Sequence, residues 1–328
     1  MSAKKDFTIP PPPVVELREV SKSYHTGFLM RKKRVLKSIN LSVYPGEILG
    51  FLGPNGAGKT TTMKIINNLT FPDRGQVLIF GQPSTEVSIK AKIGFLPEAP
   101  YFYNYLTGWE LLEFYAQLFG IPRKKRRERI KYLLNLVKLE QAADLQMRKY
   151  SRGMLQRIGM AQALINDPEL LILDEPMSSL DPVGRREFRD LILKLKEEGK
   201  TIFFSTHILP DVELICDRVA IIVDGEIIRE GKIAKLIKEK IDYYEITLSG
   251  IEEKELPSSC EKVSVEEDKI LVRTRGERGL NRTIDLIKEK KGKIIAITPA
   301  KKSLEDILFA ELGGKKNEGL LHRNEHLP

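Results

Sequence analysis

The run Gly53-Pro54-Asn55-Gly56-Ala57-Gly58-Lys59-Thr60-Thr61 sets small residues, one amine and two hydroxyls in the spacing G-x-x-x-x-G-K-[ST]. This combination suits a phosphate chain. Glycines let successive backbone N–H groups turn inward around phosphate oxygens without Cβ clashes. Lys59 would reach the β- and γ-phosphates, and the Thr60 hydroxyl would ligate Mg²⁺. The run follows an apolar strand pattern, 47–53, and precedes a helical one, so a helix N-terminus would face the same anion. A purely structural glycine-rich turn is the weaker alternative in that setting. A second cluster, Leu170-Leu171-Ile172-Leu173-Asp174-Glu175, supplies carboxylates. Four apolar residues read as a strand buried on both faces, and its acids arrive at the carboxyl end, where α/β sheets bind ligands. Asp174 would hold Mg²⁺ and Glu175 would sit near an attacking water. A strand-end cap explains one acid more easily than two followed by Pro176.

Elements must bring these runs together. Strand patterns cover 14–20, 35–43, 47–53, 76–80, 93–96, 170–173, 201–205 and 218–223. Helical patterns cover 59–69, 182–198 and 209–215, with another running from about 152 to Asn166. Residues 26–34 read as a long basic turn between the first two strands. Strands alternating with helices predict an α/β fold with a mostly parallel sheet. Between Thr107 and Lys149 the apolar spacing is helical throughout, which predicts a helical insert at about 98–150. Beyond 240 the patterns 242–249, 262–265, 269–274, a helix at 279–290, 293–299 and a helix at 303–312 predict a small α+β domain. The domain reading is a tail at 1–13, a core at 14–239, an accessory domain at 240–312 and a polar tail at 313–328.

The chain has 328 residues, enough for about two domains. Its 54 Lys and Arg against 45 Asp and Glu give +9, suited to an anionic partner but too diffuse to choose a nucleotide, nucleic acid or membrane surface. No apolar run approaches the ~18 residues of a membrane span. The start lacks the apolar core of a signal peptide, so a chain working at a membrane is expected to borrow its membrane part from a partner. Two cysteines make no disulfide framework and imply reducing cytosol.

With these runs in hand, the chain resembles the ATP-binding subunit of an ABC transporter over roughly 14–238. Tyr24 matches the aromatic that stacks on adenine, and Gly53 to Thr61 the Walker A loop. Residues 150–157, Tyr-Ser-Arg-Gly-Met-Leu-Gln-Arg, match the family signature, with Ser151 and Gly153 kept. Asp174 and Glu175 match Walker B and the catalytic glutamate. Ser178 to Asp181 match the D-loop, and His207 the switch histidine. The resemblance implies a P-loop NTPase core, ATP and Mg²⁺ as cofactors, and head-to-tail pairing with a second ATPase subunit. Ser151, Gly153 and Asp181 would then meet the nucleotide across the pair. It further implies a separately encoded transmembrane permease and a place on the cytoplasmic face of the cell membrane. Glu98 stands where the family usually has the Q-loop glutamine. A carboxylate can ligate Mg²⁺ but cannot donate a hydrogen bond to water. The replaced signature positions Tyr150, Arg152 and Met154, like Glu98, resemble an export-type subgroup carrying a C-terminal accessory domain.

The competing class is a soluble ATPase of the same family acting on nucleic acid or ribosomes. Its usual features, zinc-spaced cysteines, long heptads or a second Walker A, are not found in this sequence, so no nucleic-acid partner is expected. The aromatic-rich segment 99–105 reads equally as a docking surface for a permease helix or as packing for the insert. The basic runs 31–34 and 123–129 read as solvated faces.

Overall fold

Short segments dominated by apolar residues form the most deeply buried strands, because a strand covered on both faces can carry no polar side chain without a partner. The computed structural model describes residues 11–26, 31–236, 241–251, 255–257, 260–266 and 269–301. The chain divides into two compact units, one ending at Lys232 and the other starting at Ile233.

The first unit begins with β1 (Val15–Thr26), β2 (Arg31–Val43), β3 (Ile48–Leu52), α1 (Lys59–Ile66), β4 (Arg74–Ile79), β5 (Gln82–Pro83) and β6 (Ile93–Leu96). Three helices follow, α2 (Gly108–Leu118), α3 (Arg123–Leu136) and α4 (Arg152–Ala163). Then come β7 (Leu170–Asp174), α5 (Pro182–Glu197), β8 (Thr201–Thr206), α6 (Leu209–Ile215), β9 (Arg218–Val223) and β10 (Glu226–Lys232). Six strands form one sheet in the order β10-β9-β3-β8-β7-β6, parallel except for the β10–β9 edge. Every residue of β3, β7 and β8 is buried.

The expected parallel sheet is therefore present, but it does not take all the strands. β1, β2, β4 and β5 form a separate antiparallel sheet, ordered β2-β1-β4-β5. The basic turn expected at 26–34 is shorter than its sequence implies. Thr26 pairs with Arg31 and His25 with Lys32, so strand runs to both edges of 27–30, which lie outside the described residues. Strand β10 carries no sequence signal because its exposed edge position leaves it polar. Helix α1 contacts β2, β4 and β7, and its Met63, Ile65 and Ile66 are buried. Phe51 and Phe203 meet at 5.5 Å between ring centroids within the same core. Burying one such ring stabilises by roughly 1.5–3 kcal/mol.

No strand of the named sheets falls between Thr107 and Lys149. Helix α2 opens with a capping box: Thr107 Oγ1 accepts from the Glu110 N–H at 3.1 Å, and the Glu110 carboxylate accepts from the Thr107 N–H at 2.8 Å. Ile130, Leu133 and Leu134 form the buried stripe of α3, tied back to α2 by the Arg126–Glu113 pair.

The second unit holds α7 (Ile233–Leu236), β11 (Ile241–Ser249), β12 (Cys260–Glu266), β13 (Lys269–Arg275), α8 (Gly276–Glu289) and β14 (Lys293–Lys301). Its antiparallel sheet runs β12-β13-β11-β14, with Ile246, Leu248, Val272 and Ile287 in its own core. The expected helix at 303–312, the tail at 313–328 and all of the N-terminal tail before residue 11 lie outside the described residues. Among the described residues no helix is long and apolar enough to cross a membrane.

Candidate active site

Parallel register places the candidate residues. Leu52 pairs with Thr206 and Ile221, Asp174 with Ser205, and Leu96 with Leu173. The carboxyl ends of β3, β8, β7 and β6 therefore share one edge. Gly53, His207 and Glu175 follow directly from those ends, and Glu98 follows β6 after Pro97. A cleft of about 460 Å³ lies there, lined among others by Tyr24, Asn55, Lys59, Thr60, Glu98, Glu175 and His207.

The loop into α1 needs its glycines at two points. Gly58 sits at φ 112°, where L side chains are strained. A Cβ on Gly53 would come within 2.3 Å of the Ile222 carbonyl oxygen. Gly53 N–H also donates to the Thr206 carbonyl at 3.2 Å, fastening the loop to the end of β8. The Lys59 ammonium, 6% exposed, donates to the Gly53 carbonyl at 2.7 Å and lies 3.2 Å from Glu175 Oε1. That second contact is an ion pair without hydrogen-bond geometry, since Oε1 has no hydrogen-bond partner.

The two carboxylates are held by a residue the sequence reading did not single out. Ser205, fully buried, accepts from the Glu175 N–H at 2.9 Å and donates to Asp174 Oδ1 at 2.6 Å. The signal available for it was a hydroxyl directly following the apolar run Ile202-Phe203-Phe204. Burial raises the Asp174 carboxyl above its ordinary range, against hydrogen bonds from Ser205 and Thr60. Glu175 stands at φ 46°, a left-handed conformation that costs a non-glycine residue on the order of 1–3 kcal/mol. That turn aims its side chain at Lys59 and at His207, whose Nδ1 is 3.0 Å from Glu175 Oε2. Lys33 also lines the cleft and was missed, because it lies inside a basic run that reads as solvated.

Gly53, Pro54, Ala57 and Asp174 flank the lining residues without lining the cleft themselves, and three further expected residues, Ser151, Gly153 and Asp181, sit at the starts of other helices. Ser151 caps α4, accepting from the Met154 N–H at 3.2 Å, and Gly153 lies in the first turn of that helix. Asp181 caps α5, accepting from the Gly184 N–H at 2.7 Å. Among the described residues no group of three His, Cys, Asp or Glu side chains could hold a metal unaided. Thr60, Asp174 and Glu98 would together offer only oxygen donors, the kind that suits Mg²⁺ completed by phosphate oxygens and water.

The family model described as ABC transporter matches residues 36–178. An uncharacterized ABC transporter ATP-binding protein of Synechocystis sp. is 45% identical over 302 residues, 91% of this chain and 84% of that protein. The bacitracin transport ATP-binding protein BcrA of Bacillus licheniformis is 35% identical over 309 residues, 92% of this chain and 98% of its own length. A solved dimeric ATP-binding cassette in a post-hydrolysis state, bound to ADP and Pi, has a TM-score of 0.62 at 30% identity. The match covers 67% of this chain and 98% of that one.

Proposed function

We propose, from the premise that this chain belongs to the ABC transporter ATP-binding family, that its ATPase activity powers a separately encoded membrane permease, with export as the direction. The observation that carries the reading is the single sheet edge gathering Lys59, Thr60, Glu98, Glu175 and His207 into one cleft. The whole-length similarity to a bacitracin transport ATP-binding protein supports transport as the purpose.

The residues take distinct parts. Loop N–H groups and Lys59 bind and orient the phosphates, because phosphoryl transfer needs positioning and charge neutralisation more than covalent chemistry. Tyr24, at the rim of the cleft, offers a ring face to adenine. Thr60, Asp174 and Glu98 would hold Mg²⁺, which when bound neutralises charge between the outer phosphates. Glu175 takes the proton of the attacking water or polarises it, and His207 orients Glu175 and bonds the γ-phosphate. A second copy of the chain supplies Ser151, Gly153 and Asp181. Ser151 accepts a bond as helix cap, so its own proton stays available as a donor, beside the positive end of a twelve-residue helix.

Tyr101, Tyr103 and Tyr105 are 85%, 55% and 67% exposed, whereas Phe102 is buried. Three exposed rings next to the helical segment favour a docking surface for a permease helix, with Phe102 as its anchor in the core. Docking there would hold the chain at the cytoplasmic face of the membrane. We assign the ATPase core to 14–239 and an accessory domain to 240–312. A chain ending at residue 239 should stay soluble and bind ATP.

The test pairs this chain with any polytopic membrane protein encoded beside its gene. Co-purification from detergent, and ATPase activity altered by that protein in liposomes, is the expected result. Co-sedimentation with ribosomes or DNA and no membrane partner would overturn the transport reading.

A further inference from the structure

The β1–β2 ribbon has a second face that this mechanism does not use. A polar pocket of about 340 Å³ opens there, lined by Ser21, Ser23, Lys32, Arg34, Asp73 and Arg74. Alternation along a strand explains its position. Lys33 and Val35 line the nucleotide cleft, so Lys32 and Arg34 reach the opposite side. Tyr24 and Ser23 divide in the same way.

Three cationic side chains meet one acid in this pocket, and the acid is already engaged. Asp73 Oδ1 accepts from Lys22 Nζ at 3.2 Å and its Oδ2 from the Ser23 N–H at 2.8 Å. Among the described residues, Lys32, Arg34 and Arg74 have no carboxylate partner. Ser21 is buried, and its oxygen accepts from the Ser38 N–H at 2.9 Å and from Arg34 Nη2 at 3.3 Å. That leaves the Ser21 hydroxyl proton for an acceptor. Converging like charges repel until an anion is shared between them. Two guanidinium forks, an ammonium and a hydroxyl match the several oxygens of a phosphate group better than one carboxylate.

We propose that this pocket binds a phosphate-bearing anion, separately from the nucleotide cleft. A soluble phosphate compound and a lipid phosphomonoester headgroup present the same chemistry to it.

Full-length protein saturated with ADP, which occupies the cleft, is titrated with inorganic pyrophosphate by calorimetry. In parallel the protein is floated with phosphatidylcholine vesicles with and without phosphatidic acid. Binding is expected in at least one arm, weakened at least about tenfold in the Arg34→Gln/Arg74→Gln double variant while ADP affinity is kept. A Lys124→Gln/Lys125→Gln control, equal in lost charge, should bind as wild type. Pyrophosphate binding alone assigns a soluble source; phosphatidic-acid-dependent flotation alone assigns the headgroup. Absence of binding in both arms, or equal binding by the double variant and wild type, overturns the proposal. Failure of ADP itself to bind would instead count against the nucleotide cleft.

Discussion

The Lys59 ammonium and the Glu175 carboxylate lie 3.2 Å apart, each almost wholly buried, on elements that are far apart in sequence. The cation proposed to bind phosphate thus rests against the group proposed to handle the water. Lys59 keeps two backbone carbonyl contacts besides, at 2.7 and 3.3 Å, so it stays anchored when the carboxylate changes.

Glu175→Gln follows from that arrangement. The variant should bind ATP and lose turnover about 10²–10⁴-fold, the usual worth of a general base. It should also accumulate an ATP-bound dimer, read by light scattering. Hydrolysis near the wild-type rate would remove Glu175 from the role of base. Lys59→Ala should instead weaken nucleotide binding itself, measured by calorimetry.

Glu98 tests the metal set. Glu98→Gln removes one negative charge and installs the more common family residue. The variant should remain an active ATPase that needs more Mg²⁺ for half-maximal rate. A magnesium titration of both proteins checks this; complete inactivity at saturating Mg²⁺ would make Glu98 an indispensable acid.

Ser205→Ala should destabilise the protein by about 1–3 kcal/mol, because it strips a buried N–H and a buried carboxylate of one partner each. Urea unfolding gives the number. An unchanged midpoint would mean that water or rearrangement satisfies both groups.

Tyr150 predicts a pH dependence. Its phenol, buried, donates to the Ala142 carbonyl at 2.7 Å, and burial pushes it up to about 12 from 10.0. The folded state thus favours the protonated ring. Its contribution is fully present below the unfolded value near 10 and is lost as pH rises toward the folded value near 12. Denaturation midpoints across that window should fall more steeply in wild type than in Tyr150→Phe.

The sequence made some of this legible for local reasons. Helix 209–215 and strand 218–223 have the bounds their patterns imply, since a buried strand and a short amphipathic helix are written in neighbouring residues. Strand β10 was not legible. Its Glu226, Arg229, Glu230 and Lys232 read as loop, and its pairing with β9 at the sheet edge is what makes it strand. The outer ribbon at Arg31 to Arg34 was misread for a similar reason, because cationic residues on an exposed ribbon show no apolar alternation. The division into an antiparallel and a parallel sheet depends on pairings such as Val15 with Val43 and Ile79, which no local window contains. At the site, motif residues were visible by spacing. Ser205 was not, because its importance lies in what sits beside it across the sheet.

The Ser151 cap bears on which substitutions the chain can tolerate. One oxygen both terminates α4 and, in the proposed pair, serves the neighbouring copy's nucleotide. Asp and Asn would preserve the cap. Asp offers no ionised-state donor and would bring negative charge toward phosphate, so a fold-based screen should accept it and an activity-based screen should reject it. Ala would lose in both screens. In a comprehensive substitution map, position 151 should therefore show tolerance that depends on the trait selected, whereas Leu173, wholly buried in β7, should fail under either selection.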